Sequence, residues 1–184
     1  MFALTPDDLS GGVIDCAAGP AGFNAELSAA GREVISCDPL YSLTADEIRA
    51  RIDATYDTLV ANARAARDEF VWRDIASPEH LGEVRIAAMR RFLADFPQGM
   101  AQGRYVDQSL PDLDLPHGRF DLALCSHFLF TYSDRLSAPF HVRAIEEMCR
   151  VAAETRVFPL LKSYGGPSPH LEPVVDILSG RGFS

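Results

Sequence analysis

No two of the four cysteines, Cys16, Cys37, Cys125 and Cys149, are spaced as C-x-x-C, and no cysteine–histidine group has zinc spacing. That excludes the common structural zinc motifs and leaves reduced thiols in the core of a cytoplasmic protein as the expectation. Apolar runs of the roughly 18 residues that a membrane-spanning helix needs are missing. The opening MFALTPDD has no basic stretch leading into an apolar one, so no secretory leader is expected. A cationic excess is missing too. Lys and Arg number 17 against 26 Asp and Glu, a net charge of −9. Nonspecific nucleic-acid binders need a positive footprint for phosphate, so nucleic acid is not an expected partner. Internal repeats, low-complexity tracts and linkers are also lacking. What remains is a 184-residue chain, 47% hydrophobic and 23% charged. Its length predicts one domain over residues 1–184, with enough core to need no covalent staple.

The chain alternates short apolar runs with helical periodicity. Thr5-Pro6-Asp7-Asp8 has the residues of a helix start. Val13-Ile14-Asp15-Cys16-Ala17 reads as a buried parallel strand that breaks into a Gly/Pro turn. Residues 22–30 form a helix that Gly31 stops, and Glu33 to Asp38 form a second strand closed by Pro39. Thr44-Ala45-Asp46-Glu47 is a capping box, followed at helical spacing by Ile48, Ile52, Leu59, Val60 and Ala63. Ser77-Pro78 opens another helix, with Leu81, Val84, Ala88, Met89, Phe92 and Phe96 on one stripe and an end at Gln98-Gly99. The two make a helical insertion at about 44–97. Further strands are expected at 104–107, 120–125 and 155–161, with helices at 138–153 and from Ser168-Pro169 to about Ser179. Such alternation predicts an α/β fold, a mostly parallel sheet with helices on both faces.

Ligands of open parallel sheets bind beyond the C-terminal strand ends. The first strand ends in Asp15-Cys16-Ala17-Ala18-Gly19-Pro20-Ala21-Gly22, whose small residues let a ligand approach the backbone. Asp38, at the end of the second strand, suits ribose hydroxyls, because a carboxylate accepts their hydrogen bonds. Asp15 lies inside an apolar strand, where a carboxylate is costly unless it is paired. It either caps nearby backbone N–H groups or faces a cationic ligand group.

These residues carry a resemblance. Asp-x-Ala-x-Gly-x-Ala from Asp15, followed by an acid closing the second strand, resembles motif I and the acidic motif of class I S-adenosylmethionine (SAM)-dependent methyltransferases. Leu110-Pro111 followed by Phe120-Asp121-Leu122-Ala123-Leu124 is similar to their LP…FDLV stretch, and Glu146 to Val151 resembles the helix before their fifth strand. The resemblance covers roughly residues 10–180. The stretches DCAAGPAGFNAEL, CDPLY and LALCSHFLF look like a bacterial subfamily of that group.

The resemblance implies a Rossmann-like class I methyltransferase fold, SAM as cofactor, S-adenosylhomocysteine (SAH) as product, a small-molecule acceptor and no metal. By position, Asp15, Ala17, Gly19 and Pro20 would border the methionine part of SAM. Asp38 would hold the ribose, and Pro39 and Leu40 would pack on the adenine. Asp107, Gln108, Ser109 and Leu110 would flank the base, while Ser126 and His127 would stand beside the sulfonium and the incoming nucleophile. His127 is the candidate general base; its alternative is a histidine bonded to backbone at the strand tip. Phe128, Phe130 and Tyr132 either line an acceptor pocket or pack in the core. Two departures stand out. Ala17 and Ala21 replace family glycines, and only 23 residues follow Leu161, too few for the family's C-terminal β-hairpin. A fifth strand without that hairpin is an exposed edge, which predicts a homodimer through it. Two other readings stay open: a protein that binds SAM or SAH without turnover, and a nicotinamide-binding Rossmann protein.

Overall fold

A computed structural model describes residues 2–65, 75–163 and 165–184. Five strands form one sheet, β1 Val13–Cys16, β2 Val34–Cys37, β3 Tyr105–Val106, β4 Phe120–Ser126 and β5 Ala152–Phe158. They lie in the order β3-β2-β1-β4-β5, and every pairing is parallel. The helices are α1 Phe23–Ala29, α2 Ala45–Ala65, α3 Pro78–Ala101, α4 Ala138–Val151 and α5 Leu171–Gly180. This is the Rossmann-like α/β architecture that the alternation predicts. Its strand order reverses between β1 and β4, which marks the switch point at which such sheets bind ligands.

Strand periodicity explains the two faces. Ile14, Cys16, Ala123 and Cys125 point to one side and meet α4 and α5 through Val142, Met148, Val151, Val174 and Leu178. Val13, Leu122 and Leu124 point to the other side and meet Leu27 of α1. Cys16, Cys37 and Cys125 are buried free thiols and Cys149 is partly buried, as their apolar settings predict.

Several boundaries move. Residues 6–9 form a turn rather than a helix, held by Asp8 accepting from the Thr5 N–H at 2.7 Å. Ala152 begins β5 directly after α4, three residues earlier than its apolar run suggests, and the strand stops at Phe158. The last helix starts at Leu171, with His170 at its N-cap. In α2, Thr44 and Glu47 form the reciprocal box, with Thr44 N–H donating to Glu47 at 2.8 Å; the Leu59 side chain lies outside the described residues.

The largest boundary shift is in α3, which continues through Gln98-Gly99 to Ala101; the stop is Gly103, at φ +72°. Gly99 serves packing instead. A Cβ there would lie 2.3 Å from Cε2 of Tyr105. Gly99→Ala is therefore expected to cost about 1–3 kcal/mol through overpacking. Urea unfolding checks this; an unchanged midpoint would mean that α3 and β3 separate freely.

The course of α3 matters for the site. Its C-terminal half packs on α1 and β3. Arg91 pairs with Glu26, and the Ala88 carbonyl lies 3.1 Å from where a Gly22 Cβ would stand. Gly22 is the N-cap of α1, level with the strand tips, so about ten residues of α3, some 15 Å of helix, extend beyond the sheet. Along this stretch α2 runs antiparallel on α3, Gly82 against Val60 and Tyr56 and Arg64 paired with Glu79 at 2.6 Å. At its base, Tyr41, Phe92, Phe96 and Tyr105 form a cluster of rings 4.9–5.9 Å apart. The insertion between β2 and β3 thus covers the sheet edge with one half and overhangs the strand tips with the other. On the opposite side β5 is an edge strand, with Phe158, Leu160 and Leu161 exposed beside it. Among the described residues, no helix is long and apolar enough to cross a membrane.

Candidate functional site

The site residues expected from sequence occupy the C-terminal ends of four adjacent strands. Asp15, Ala17, Gly19 and Pro20 follow or end β1; Asp38, Pro39 and Leu40 follow β2; Asp107 to Leu110 follow β3; Ser126 ends β4 and His127 follows it.

The β1 and β2 tips are bound together. Asp38 accepts the Gly19 N–H through Oδ2 at 2.9 Å and the Leu40 N–H through Oδ1 at 2.8 Å. The second bond caps the 3-10 turn Pro39–Ser42, which follows because Asp is a strong N-cap and Pro39 fits the first turn. Tyr41 then donates its hydroxyl to the Gly19 carbonyl at 2.8 Å. Asp38 and Tyr41 therefore fix the bend at residues 17–19 from both sides. That bend is strained. Ala17 sits at φ +54° and Gly19 at φ +58°. For Ala17, a left-handed conformation costs about 1–2 kcal/mol. A Cβ at Gly19 would meet nothing within 4 Å, so open space lies over the bend.

Asp15 shares the sheet face of Val13 and Leu124, beneath this bend. It is only 6% exposed, and among the described residues no group donates a hydrogen bond to its carboxylate. Burial, reinforced by the Asp38 charge, pushes its pKa up to about 7. Among the described residues it caps no backbone N–H group.

Across the switch point, His127 also sits at positive φ, +55°. Its N–H donates to the Phe158 carbonyl at 2.6 Å, and its Nδ1 lies 2.7 Å from Ser126 Oγ. Burial, with Arg85 nearby, holds its imidazole below the usual histidine range. Strained residues thus end both central strands, a pattern that clusters at functional sites.

The β3 residues divide. Asp107 and Ser109 are exposed and Gln108 half-buried, its side-chain oxygen accepting the Asp114 N–H at 3.1 Å. Leu110 belongs to the core with Leu113 and Phe130. The aromatics after β4 divide as well: Phe130 is buried, Phe128 packs on the core, and Tyr132 is 41% exposed. His141 is fully buried between the Ser137 and Leu129 carbonyls, and His170 meets the Ser133 carbonyl; both are structural. Sequence reasoning missed Tyr41 and Arg85. Tyr41 was visible only as part of the CDPLY stretch, and no local signal marks Arg85. Two surface clefts lie away from the tips. One of about 460 Å³ lies between α2 and α3, and one of about 390 Å³ lies near Asp121, at the opposite sheet end. Among the described residues no cluster of His, Cys, Asp or Glu is arranged to hold a metal.

The chain is 28% identical over 182 residues to an uncharacterized protein of Methanocaldococcus jannaschii, covering 98% of this chain and 81% of that one. No family model and no solved structure matches it.

Proposed function

We propose that this chain is a SAM-dependent methyltransferase acting on a small-molecule acceptor. Asp15 carries the reading. A buried carboxylate without a donor is unfavourable on its own, and a cationic ligand group offsets that cost. The ammonium of an amino-acid moiety is such a group, and open space lies over the neighbouring bend. Asp38 uses one lone pair of each oxygen on backbone N–H groups and keeps others for ribose hydroxyls. Pro39 and Leu40 offer apolar surface for adenine, with Asp107 and Gln108 at its rim. The donor set therefore fits SAM.

When bound, SAM supplies an electrophilic methyl group. The chain's own part is positioning and proton handling. Asp15 and Asp38 fix the two ends of the ligand. With its Nδ1–H donating to Ser126, the His127 imidazole presents Nε2 to take a proton from the acceptor's attacking atom. Its depressed pKa keeps it neutral, hence basic, at pH 7. A dinucleotide fits less well, because its pyrophosphate would approach the Asp15 and Asp38 carboxylates.

Calorimetry with SAM, SAH and NAD tests the proposal. SAM and SAH are expected to bind with roughly micromolar Kd, about −8 kcal/mol, and NAD to give no heat. Tight NAD binding with none of SAM or SAH would overturn it. Incubation with labelled SAM and a metabolite pool then separates turnover from binding alone.

A further inference from the structure

The α1-facing row of α3 shows what lies over the bend. Asp95 pairs at 2.7 Å with Arg104, which donates to Asn24 of α1 at 2.6 Å, Arg91 pairs with Glu26, and the Ala88 backbone lies against Gly22, so positions 95, 91 and 88 follow one ridge along α1. One turn further on, the ridge reaches Val84 and Arg85, beyond the N-terminus of α1. Val84 is a large apolar side chain left 44% exposed. Arg85 overhangs the strand tips closely enough to interact electrostatically with both His127 and Tyr132. Its side chain is exposed, and among the described residues no acid pairs with it. On the other side, Arg135 lies over the Tyr132 ring at 5.9 Å, also without an acid partner among the described residues. In a chain with a net charge of −9, two unpaired guanidinium groups around one exposed tyrosine are unexpected. Beside it, Thr131 Oγ1 is buried and has no hydrogen-bond partner among the described residues. Tyr132 leaves apolar surface beneath Arg135, and Phe158 leaves some beside His127.

We propose that the acceptor is an organic anion with an apolar body: Arg85 and Arg135 bind its negative group, and Val84, Tyr132 and Phe158 cover the rest. Arginine suits the task because its planar fork meets an anionic group with two parallel hydrogen bonds. This inference rests on the methyltransferase reading, since that reading places the acceptor beside His127.

The test uses benzoate as probe and inorganic phosphate as control. Each is titrated into the full chain with and without saturating SAH, following the arginine Nε–Hε NMR signals. Benzoate is expected to shift the Arg85 signal, and Arg85→Gln to weaken benzoate binding about tenfold, as loss of a charge-assisted pair implies. SAH affinity of the variant should stay at the wild-type value. No benzoate response, or equal benzoate affinity in Arg85→Gln, overturns the proposal; phosphate binding as tightly as benzoate overturns the apolar body. Failure of SAH to bind the wild type would instead sink the cofactor reading, and the benzoate response without SAH reads the anion site separately.

Discussion

Asp15→Asn is expected to make the protein more stable at pH 8 and to weaken SAM binding tenfold to a hundredfold, roughly the 1.5–3 kcal/mol of a hydrogen bond to a charged group. The two effects share one cause. In the folded chain the Asp15 pKa is raised to about 7, against about 3.9 when unfolded. Between those values the folded state holds the proton more tightly. Asp15 therefore favours folding at low pH, and that contribution is lost as pH rises through 7. Asparagine does not titrate, so its advantage should be absent near pH 4, grow between pH 4 and 7, and reach about 4 kcal/mol at pH 8. Urea unfolding at both pH values measures it. A cationic ligand group reverses the balance by favouring the ionised acid. At pH 7 about half of the free molecules carry the Asp15 proton, so SAM binding should release about half a proton. Calorimetry in buffers of different ionisation enthalpy reads that number, and Asp15→Asn should abolish it. Binding with no buffer dependence would mean that the ligand's charge is not at Asp15.

Much of this architecture was legible because it depends on local signals. The apolar run 13–17, the stop at Gly31 and the capping box at Thr44–Glu47 each state their own structure. So does Asp38 beside Pro39, where an N-cap and a first-turn proline coincide. Gly99 shows where that reasoning fails. A glycine near a helix end reads as a stop, yet this one is needed because the Tyr105 ring packs against its Cα, which no window around residue 99 reveals. The site divides in the same way. Asp15 and Asp38 were found from their place at strand ends, whereas Leu110, adjacent to exposed Ser109, turns into the core. Arg85 was out of reach for another reason. Its position over the tips follows from the length of α3 past α1 and from helical phase over several turns, a product of packing between elements far apart in sequence.

Asp38 has two functions that mutation can separate. It clamps the bend through the Gly19 and Leu40 N–H groups, and it is the proposed ribose acceptor. Asp38→Ala removes both, leaving two backbone donors without their carboxylate; about 2–3 kcal/mol of stability should be lost, with SAM affinity falling tenfold or more. Asp38→Asn keeps an oxygen for the Leu40 cap, since Asn is as good an N-cap as Asp. It should recover much of the stability while still binding SAM weakly, because a neutral amide is the poorer acceptor. The halves of the ligand then separate the acids. Adenosine affinity should fall in the Asp38 variants and hold in Asp15→Asn; affinity for the SAM methionine end should fall in Asp15→Asn. An Asp38→Asn protein that binds adenosine as tightly as wild type would leave Asp38 as a clamp alone and move the ribose elsewhere on the strand tips.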